Sequence, residues 1–594
     1  MTADVTPAGV LRLQPYPGRY AFTLRGSAAA SVDLIEPAAG VKLPPRRHFT
    51  PEHPFRLKIL HFNDLHGHIC RFTDHGEIPI FARMVSRMNQ LRRQAWQRDD
   101  MGVLIMSAGD DLVGSVFDEL LTANEAPLHV SYHLYSAAGV DVATLGNHDF
   151  DMGPAALAQA IARDARFPLL SANLHCCEPL QSQIAPAAIF LVKGVRVGVI
   201  GLTTPGEINK QWADDFQLGN PVQAVHNILP ALQPFCDVII ILSHLGYSLS
   251  SHAATVLYAG DVELARNLPR GGVQLIVGGH THHSLNLHGL EPENIVNDIP
   301  IAQAGYLGEF LGEVDITLRS APAVTSARLI RTALLPVDAD FRQRQITPLE
   351  RLATPILTRR LGRTANHPDL DADCVLNDLA AGESALANFI ADALVARCRR
   401  HEHQVDLAFI DATSLRTGIP VDAELTFGDW FNVMPFADVI RLCWLTGEQL
   451  LALVQDNARR VDLPGEPHME RGFLHFSRQL RYRIELGATR SKIQAVDITF
   501  GGAPLETMAH RVFIAAYASF VREPALAWQK SVNRTESLSF FDIAQLPTAT
   551  TGLFLRRELT AYISKHGGVT EAAGAKRDGR LSITQSHSQQ VLSL

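Results

Sequence analysis

Between residues 57 and 278 the chain carries five apolar runs of five or six residues: LKILHF (57–62), VLIMSA (103–108), DVATL (141–145), DVIIIL (237–242) and VQLIVG (273–278). Runs of this length, rich in Val, Ile and Leu, suit strands of a sheet buried on both faces. A short polar cluster follows each one: DLH at 64–66, GD at 109–110, GNHDFD at 146–151, SH ending at 244, and GHTH at 279–282. In open α/β sheets the loops at the carboxyl ends of the strands converge on one rim, where ligands bind. The pattern therefore predicts that the five clusters meet.

A different rhythm begins near residue 373. ALANFIADALVAR places Leu386, Phe389, Ile390, Ala393 and Leu394 on one face of an amphipathic helix. DLAFI reads as a strand, and LTGEQLLALV opens with Thr446 and Gln449 in capping-box register. These signals indicate a mixed α+β domain over 373–583, ending in the strand-like DGRLSI, with TQSHSQQVLSL (584–594) as a solvated tail. Residues 338–372 are rich in charge and turn formers. Pro348 and Pro355 limit any long helix there, although TPILTRRLG suits a short one, and the segment reads as a connector. The first domain then spans 56–337, preceded by an extension over 1–55 in which RYAFTLRG can supply a strand or two.

The polar clusters change the picture from a fold to a chemistry. Asp64, His66, Asp110, Asn147, His244, His280 and His282 offer two carboxylates, one amide oxygen and four imidazoles, with no thiolate. One His after a buried strand is more often structural than a ligand; the repetition is what points to metal. Such donors suit divalent ions of borderline hardness, namely zinc, manganese, iron or cobalt, better than a cysteine-held structural zinc or an all-oxygen calcium cage. Seven ligands are too many for one ion. With one carboxylate bridging, they divide into two sets of four around ions roughly 3.5 to 4 Å apart, and Asp110, in its glycine-preceded turn, is the expected bridge.

The order D-x-H, G-D, G-N-H-D, H, G-H-x-H resembles that of the calcineurin-like metallophosphoesterases. LHFNDLHGHI, TLGNHDFDMG, LLSANL, VRVGVIGLTTP, LSHLGY, IVGGHTHHSL and IAQAGYLGEFLGEVDI narrow the resemblance to the 5'-nucleotidase family, over roughly residues 56–320. The resemblance implies an α/β fold: a four-layer β-sandwich flanked by helices, followed by a smaller α+β domain that recognises nucleotide. It also implies that Asp64, His66, Asp110 and His282 hold one ion and Asp110, Asn147, His244 and His280 the other. His148 would lie beside the scissile phosphate, paired with Asp151. An imidazole so placed can stabilise or protonate a leaving group. Asp151 has an alternative role in capping the segment DMGPAALAQAIA, compatible with the first. Asp149 is expected only to orient its neighbours. The implied reaction is in-line attack of metal-generated hydroxide on phosphorus, with His148 assisting the departing alkoxide.

The second half resembles the 5'-nucleotidase C-terminal domain more weakly, through ESALANFIADAL, FIDATSLRTGIP, ELTFGDWFNVMPFADVI, LTGEQLLALV and GFLHFSRQLRYRI. By that resemblance Arg416 grips phosphate, while Phe436 and Tyr517 stack on a base. Arg416 as an exposed turn charge and Phe436 as a core ring are the plainer alternatives. The departures matter as much. Gly382 stands where relatives often carry an arginine, and their N-G-G-G-x-R loop here reads Asp411 to Arg416, which adds a carboxylate that repels phosphate unless paired or turned away. FVREPALAW replaces a glycine-rich turn, and Arg522 within it is a candidate substitute cation.

Composition agrees with a large globular enzyme: 594 residues, 46% hydrophobic and 19% charged, with a formal charge of -8 that argues against nucleic-acid polymers and for a small phosphorylated substrate, foremost a nucleotide. No run approaches the roughly 18 apolar residues of a membrane span. Seven scattered cysteines, Cys176 and Cys177 adjacent among them, read as reduced or buried thiols. Residues 1–55 lack the uninterrupted apolar core of a secretory signal, so the expected location is cytoplasmic. Hydrolysis of phosphate monoesters, most of all nucleoside 5'-phosphates, is the expected activity. The alternatives are a cyclic-nucleotide or other phosphodiesterase, a thiosulfate-pathway hydrolase of related architecture, and a metal-stabilised binding module with a diverged second domain.

Overall fold

Every residue of the strand Phe55–Phe62 except Arg56 is buried, and the strand alternation divides that burial between two layers. Phe55, Leu57 and Ile59 enter a core shared with Val197, Val199, Val238 and Ile240, whereas Phe62 meets Phe81 and Tyr135 from the helices Ile80–Trp96 and Val130–Ala138. The computed structural model describes residues 10–12, 20–24, 47–73, 76–111, 129–151, 153–176, 178–205, 216–248, 260–435, 438–463, 471–519, 541–543 and 546–585. The chain forms two units, residues 1–353 and 354–594.

In the first unit a seven-stranded sheet runs in the order Ile184–Ala185, Leu169–Leu170, Val142–Thr144, Met101–Ser107, Phe55–Phe62, Phe310–Leu318, Pro322–Arg331. An eight-stranded sheet contains the parallel succession Val195–Thr203, Val238–His244, Leu275–Val277, Ile299–Ala302. The outer face of this second sheet, with Ile200, Leu202, Ile239 and Ile241, packs on Val225, Ile228 and Leu229 of the helix Pro221–Leu232 and on Leu264 of Asp261–Arg266. Helix, sheet, sheet and helix make the four expected layers. The five apolar runs are all strands, but three lie in one sheet and two in the other. Tyr20–Leu24, within RYAFTLRG, pairs with Ala187–Phe190 at the second sheet's side.

The segment 338–372 is not a plain connector. A helical run extends from Ala339 to Leu357, passing through a π-helical stretch at Arg342–Ile346 directly before Thr347 and Pro348 and continuing through Pro355. The following Arg360–Thr364 is not part of a short helix; it is a strand of the second unit, pairing with Glu424–Thr426 and Gly568–Val569. In that unit the helix Ala385–Arg400 buries Leu386, Phe389, Ile390, Ala393 and Leu394 completely. It packs against a five-stranded sheet ordered Leu474–Phe476, Leu407–Asp411, Val512–Ala518, Val439–Thr446, Thr548–Phe554. The Thr446–Gln449 capping box opens the helix Gly447–Ala458. Leu581–Gln585 pairs in parallel with Leu480–Leu486, so the last strand runs two residues into the expected tail, whose remainder lies outside the described residues.

Six cysteines are free thiols, and Cys177 lies outside the described residues. Burial pushes Cys398 and Cys443 up to about 12, which keeps both protonated and inert. Among the described residues no helix is long and apolar enough to cross a membrane.

Candidate metal centre

The loops leaving the five strands bring six of the seven expected ligands into two groups whose donor atoms lie within 4.8 Å of one another: Asp64, His66 and His282, and Asp110, His244 and His280. Asn147 completes the second, its Oδ1 standing 3.0 Å from His280 Nδ1. Asp110 touches both groups, because its Oδ2 is 3.1 Å from His244 Nε2 and 4.0 Å from His66 Nε2. That is the place a bridging carboxylate would occupy. Asp64 Oδ1 lies 3.3 Å from His282 Nε2 and 4.0 Å from His66 Nε2.

Both carboxylates are held by N–H groups of other ligand loops, Asp64 chiefly through Oδ2 with the His280 N–H also 3.2 Å from Oδ1. Asp64 Oδ2 accepts from the His280 N–H (2.9 Å) and from Asn63 Nδ2 (2.7 Å). Asp110 Oδ1 accepts the His148 N–H at 2.9 Å. The backbone conformations are unusual: Asp64, His66, Asp110, His280 and His282 all have φ between 47° and 74°. The left-handed region is disfavoured for residues with a Cβ, and its concentration here turns each loop back over its strand end. Gly146 allows the approach between two such loops, since a Cβ there would stand 2.1 Å from Asp110 Oδ1.

Whether these side chains suit divalent ions can be tested on His244. Its Nδ1 bonds the Ala108 carbonyl at 2.6 Å, which fixes Nδ1–H and turns Nε2 toward Asp110. That Nε2 is fully buried, and its close polar neighbour, Asp110 Oδ2 at 3.1 Å, is not aligned as a hydrogen-bond partner. Burial opposes charge on this ring, yet Asp110 and Asp64 outweigh it and raise His244 to about 10, so the pocket favours positive charge at this point. A buried nitrogen without an aligned partner, two carboxylates and no thiolate fit a borderline divalent cation.

His148 lies at the edge of this centre, with its ring centroid 5.3 Å from that of His66 and its Nδ1 2.8 Å from Asp151 Oδ2. The helix Pro154–Asp164 has Gly153 as its N-cap and no side-chain cap, so pairing with His148 is the role the geometry gives Asp151. Asp149 is buried and accepts three backbone N–H groups, from Gly146 (2.8 Å), Asp110 (3.2 Å) and Asp111 (3.2 Å). It ties the GD loop to the GNHDFD loop. Three contributors carried no role in the sequence reading. Asn63 braces Asp64 and accepts the Ala304 N–H. Gln303 Nε2 donates to the Gly279 carbonyl, and Tyr306 stacks on His282. All three stand inside the motif strings FND and QAGY, but second-layer contacts leave no periodic signal.

In the second unit Arg416 is exposed just after the turn Ala412–Ser414. Asp411 is turned inward, its Oδ1 accepting the Thr413 N–H (2.8 Å) and hydroxyl (2.9 Å), so the added carboxylate is engaged in capping. Tyr517 reads as a core ring in the structure: it is 5% exposed within a strand, and Phe409 stacks on one of its faces at 5.2 Å. Phe436 and Arg522 lie outside the described residues. A Cβ on Gly382 would meet nothing nearer than the Ile583 side chain, at 3.9 Å.

Comparison with known proteins matches the calcineurin-like phosphoesterase family over residues 57–284 and the 5'-nucleotidase C-terminal domain over residues 360–523. Protein UshA of Salmonella pullorum is 24% identical over 465 residues, which cover 72% of this chain and 80% of that protein. A 5'-nucleotidase of Vibrio cholerae is 25% identical over 457 residues, covering 71% and 79%. The crystal structure of a 5'-nucleotidase precursor from Thermus thermophilus superposes with a TM-score of 0.57 at 23% identity, over 89% of this chain and 99% of that one, and so shares the fold. Two domain patterns in this order, the first laid over loops that gather the metal-ligand types, mean that the chain belongs to the two-domain 5'-nucleotidase family of calcineurin-like phosphoesterases, metal-dependent hydrolases of phosphate esters.

Proposed function

We propose that the protein hydrolyses phosphate monoesters of small molecules, nucleoside 5'-phosphates foremost. The observation that carries the reading is the pair of ligand groups sharing Asp110, with the hydrogen-bonded His148–Asp151 pair next to them. Asp64, His66, Asp110 and His282 would hold one ion and Asp110, Asn147, His244 and His280 the other, drawn from zinc, manganese, iron or cobalt. When bound, the ions lower the pKa of water and offset charge on phosphoryl oxygens. Asp151 accepts from His148 Nδ1 and orients the ring, and the imidazole would assist the departing oxygen. His148 is about one-third exposed, as a residue that meets substrate must be. In the second unit the resemblance gives Arg416 the role of gripping phosphate, and the nearby Asp411 is buried and bonded to Thr413.

The test is a panel of esters under saturating manganese or zinc: 4-nitrophenyl phosphate, AMP, bis(4-nitrophenyl) phosphate and a 2',3'-cyclic nucleotide. Turnover of the monoesters, lost in His148→Ala while bound metal is retained, is the expected result. Preference for the bis ester or cyclic nucleotide would replace it with a diesterase. No turnover with any metal would leave a metal-stabilised binding module.

A further inference from the structure

We propose that Tyr306 is the positioning residue for the His282 imidazole, and through it for one of the two ions; this rests on reading Asp64, His66 and His282 as ligands of that ion. A histidine ligand is usually aimed by a hydrogen bond from its second ring nitrogen. His244 has such a bond, to the Ala108 carbonyl. His282 turns Nε2 toward Asp64, but among the described residues it makes no hydrogen bond through Nδ1. Its side chain is 40% exposed and its backbone has φ 58°. What holds the ring is Tyr306: the two rings are parallel within 1°, with centroids 4.7 Å apart.

The platform is itself fastened to the ligand loops on both sides. The Gly305 N–H donates to the His283 carbonyl (2.9 Å), Asn63 Nδ2 donates to the Gly305 carbonyl (2.6 Å), and the Leu307 N–H donates to the Asp64 carbonyl (2.8 Å). Tyr306 is 44% exposed, so no core requires its bulk. An imidazole bound to a cation carries added positive charge, and the electron-rich face of a phenol ring attracts it. The stack therefore strengthens when the ion is in place.

Titration of the metal-free full-length chain with Mn2+, followed by the electron paramagnetic resonance of the free ion, tests the proposal. Wild type should bind two ions and Tyr306→Phe should match it. Tyr306→Leu, which keeps apolar bulk without a flat ring, should bind one ion about tenfold more weakly, the same ion that His282→Ala loses, with the other unchanged. Equal binding by Tyr306→Leu and wild type overturns the proposal, as does equal weakening of both ions or a Tyr306→Phe variant as weak as Tyr306→Leu. Should Tyr306→Leu not fold, Tyr306→Trp decides, because its added fluorescence must change as that one ion binds, and constancy overturns the proposal. A wild type that binds no ion would sink the metal-centre reading itself.

Discussion

Left-handed backbone at five ligand positions stores strain that a glycine would release, and His280 is a site where the release can be isolated. His280 has φ 74° and offers Nδ1 to the centre. Replacing it by Ala or by Gly removes the same imidazole, so the two variants differ only in backbone. Ala in this region costs about 1–2 kcal/mol. Gly avoids that cost but gives up about 0.4–1 kcal/mol through its freer unfolded chain. The net difference favours Gly by roughly 0.5–1 kcal/mol, a two- to fivefold change in an opening equilibrium. Two units make global unfolding a poor measure, since two-state behaviour is not assured. Amide hydrogen exchange with chelator present, read on peptides spanning Phe55–Phe62 and Met101–Ser107, reports the first unit alone. Exchange should be two- to fivefold slower in His280→Gly than in His280→Ala. Equal rates, or better protection in the Ala variant, would refute the claim that these loops are strained.

Three further outcomes follow from individual contacts. His148→Ala should lower kcat by roughly 10²- to 10⁴-fold without changing bound metal measured by atomic emission; loss of metal would make His148 a ligand instead. Asp149→Ala leaves three buried N–H groups without their acceptor, at about 1–3 kcal/mol for each left unsatisfied, so a lower melting temperature and roughly tenfold weaker metal binding are expected; unchanged metal affinity would mean that the two loops do not need this tie. Burial lowers the pKa of His475 to about 4, while its Nε2 bonds the Leu379 carbonyl. The unfolded chain, titrating near 6.5, therefore binds the proton first. Stability is full above pH 6.5 and falls by about 3 kcal/mol as pH drops toward 4. His475→Gln should flatten that limb in the second unit's hydrogen exchange, and an unchanged slope would count against a buried neutral ring.

The first domain was legible because its strands are unbroken apolar runs and its ligands directly follow them, so position in sequence and position on the rim coincide. The division of those strands between two sheets was not legible from the runs alone, because a strand buried on both faces looks the same in either sheet. Proline misled at 347–357. Pro348 comes just after the π-helical stretch Arg342–Ile346, where the regular bonding ladder is already interrupted, and Pro355 is carried within a helix that continues to Leu357. Tyr517 misled for a related reason: an aromatic in a β-rich run is read equally well as a stacking face or a core ring, and its burial beside Phe409 decides. The Asp411 carboxylate looked like a repulsive charge because sequence gives a residue's charge but not its direction.

The same limitation explains why the residues that hold the ligands went unread while the ligands did not. A ligand must be one of few residue types, whereas the groups that aim it here are largely backbone N–H groups, which every non-proline residue has. Asp64 is aimed by the His280 N–H, Asp110 by the His148 N–H, and Asp149 by the N–H groups of Gly146, Asp110 and Asp111. Two ligand carboxylates are thus held by N–H groups of other loops of the centre, and Asp149 ties the loop of Asp110 to that of Asn147. Of these N–H donors His280 and Asp110 are themselves left-handed, so at those two positions strain and pre-organisation are one feature. A chain built this way holds its carboxylate oxygens in position before any cation arrives, and binding need not fund the folding of the loops.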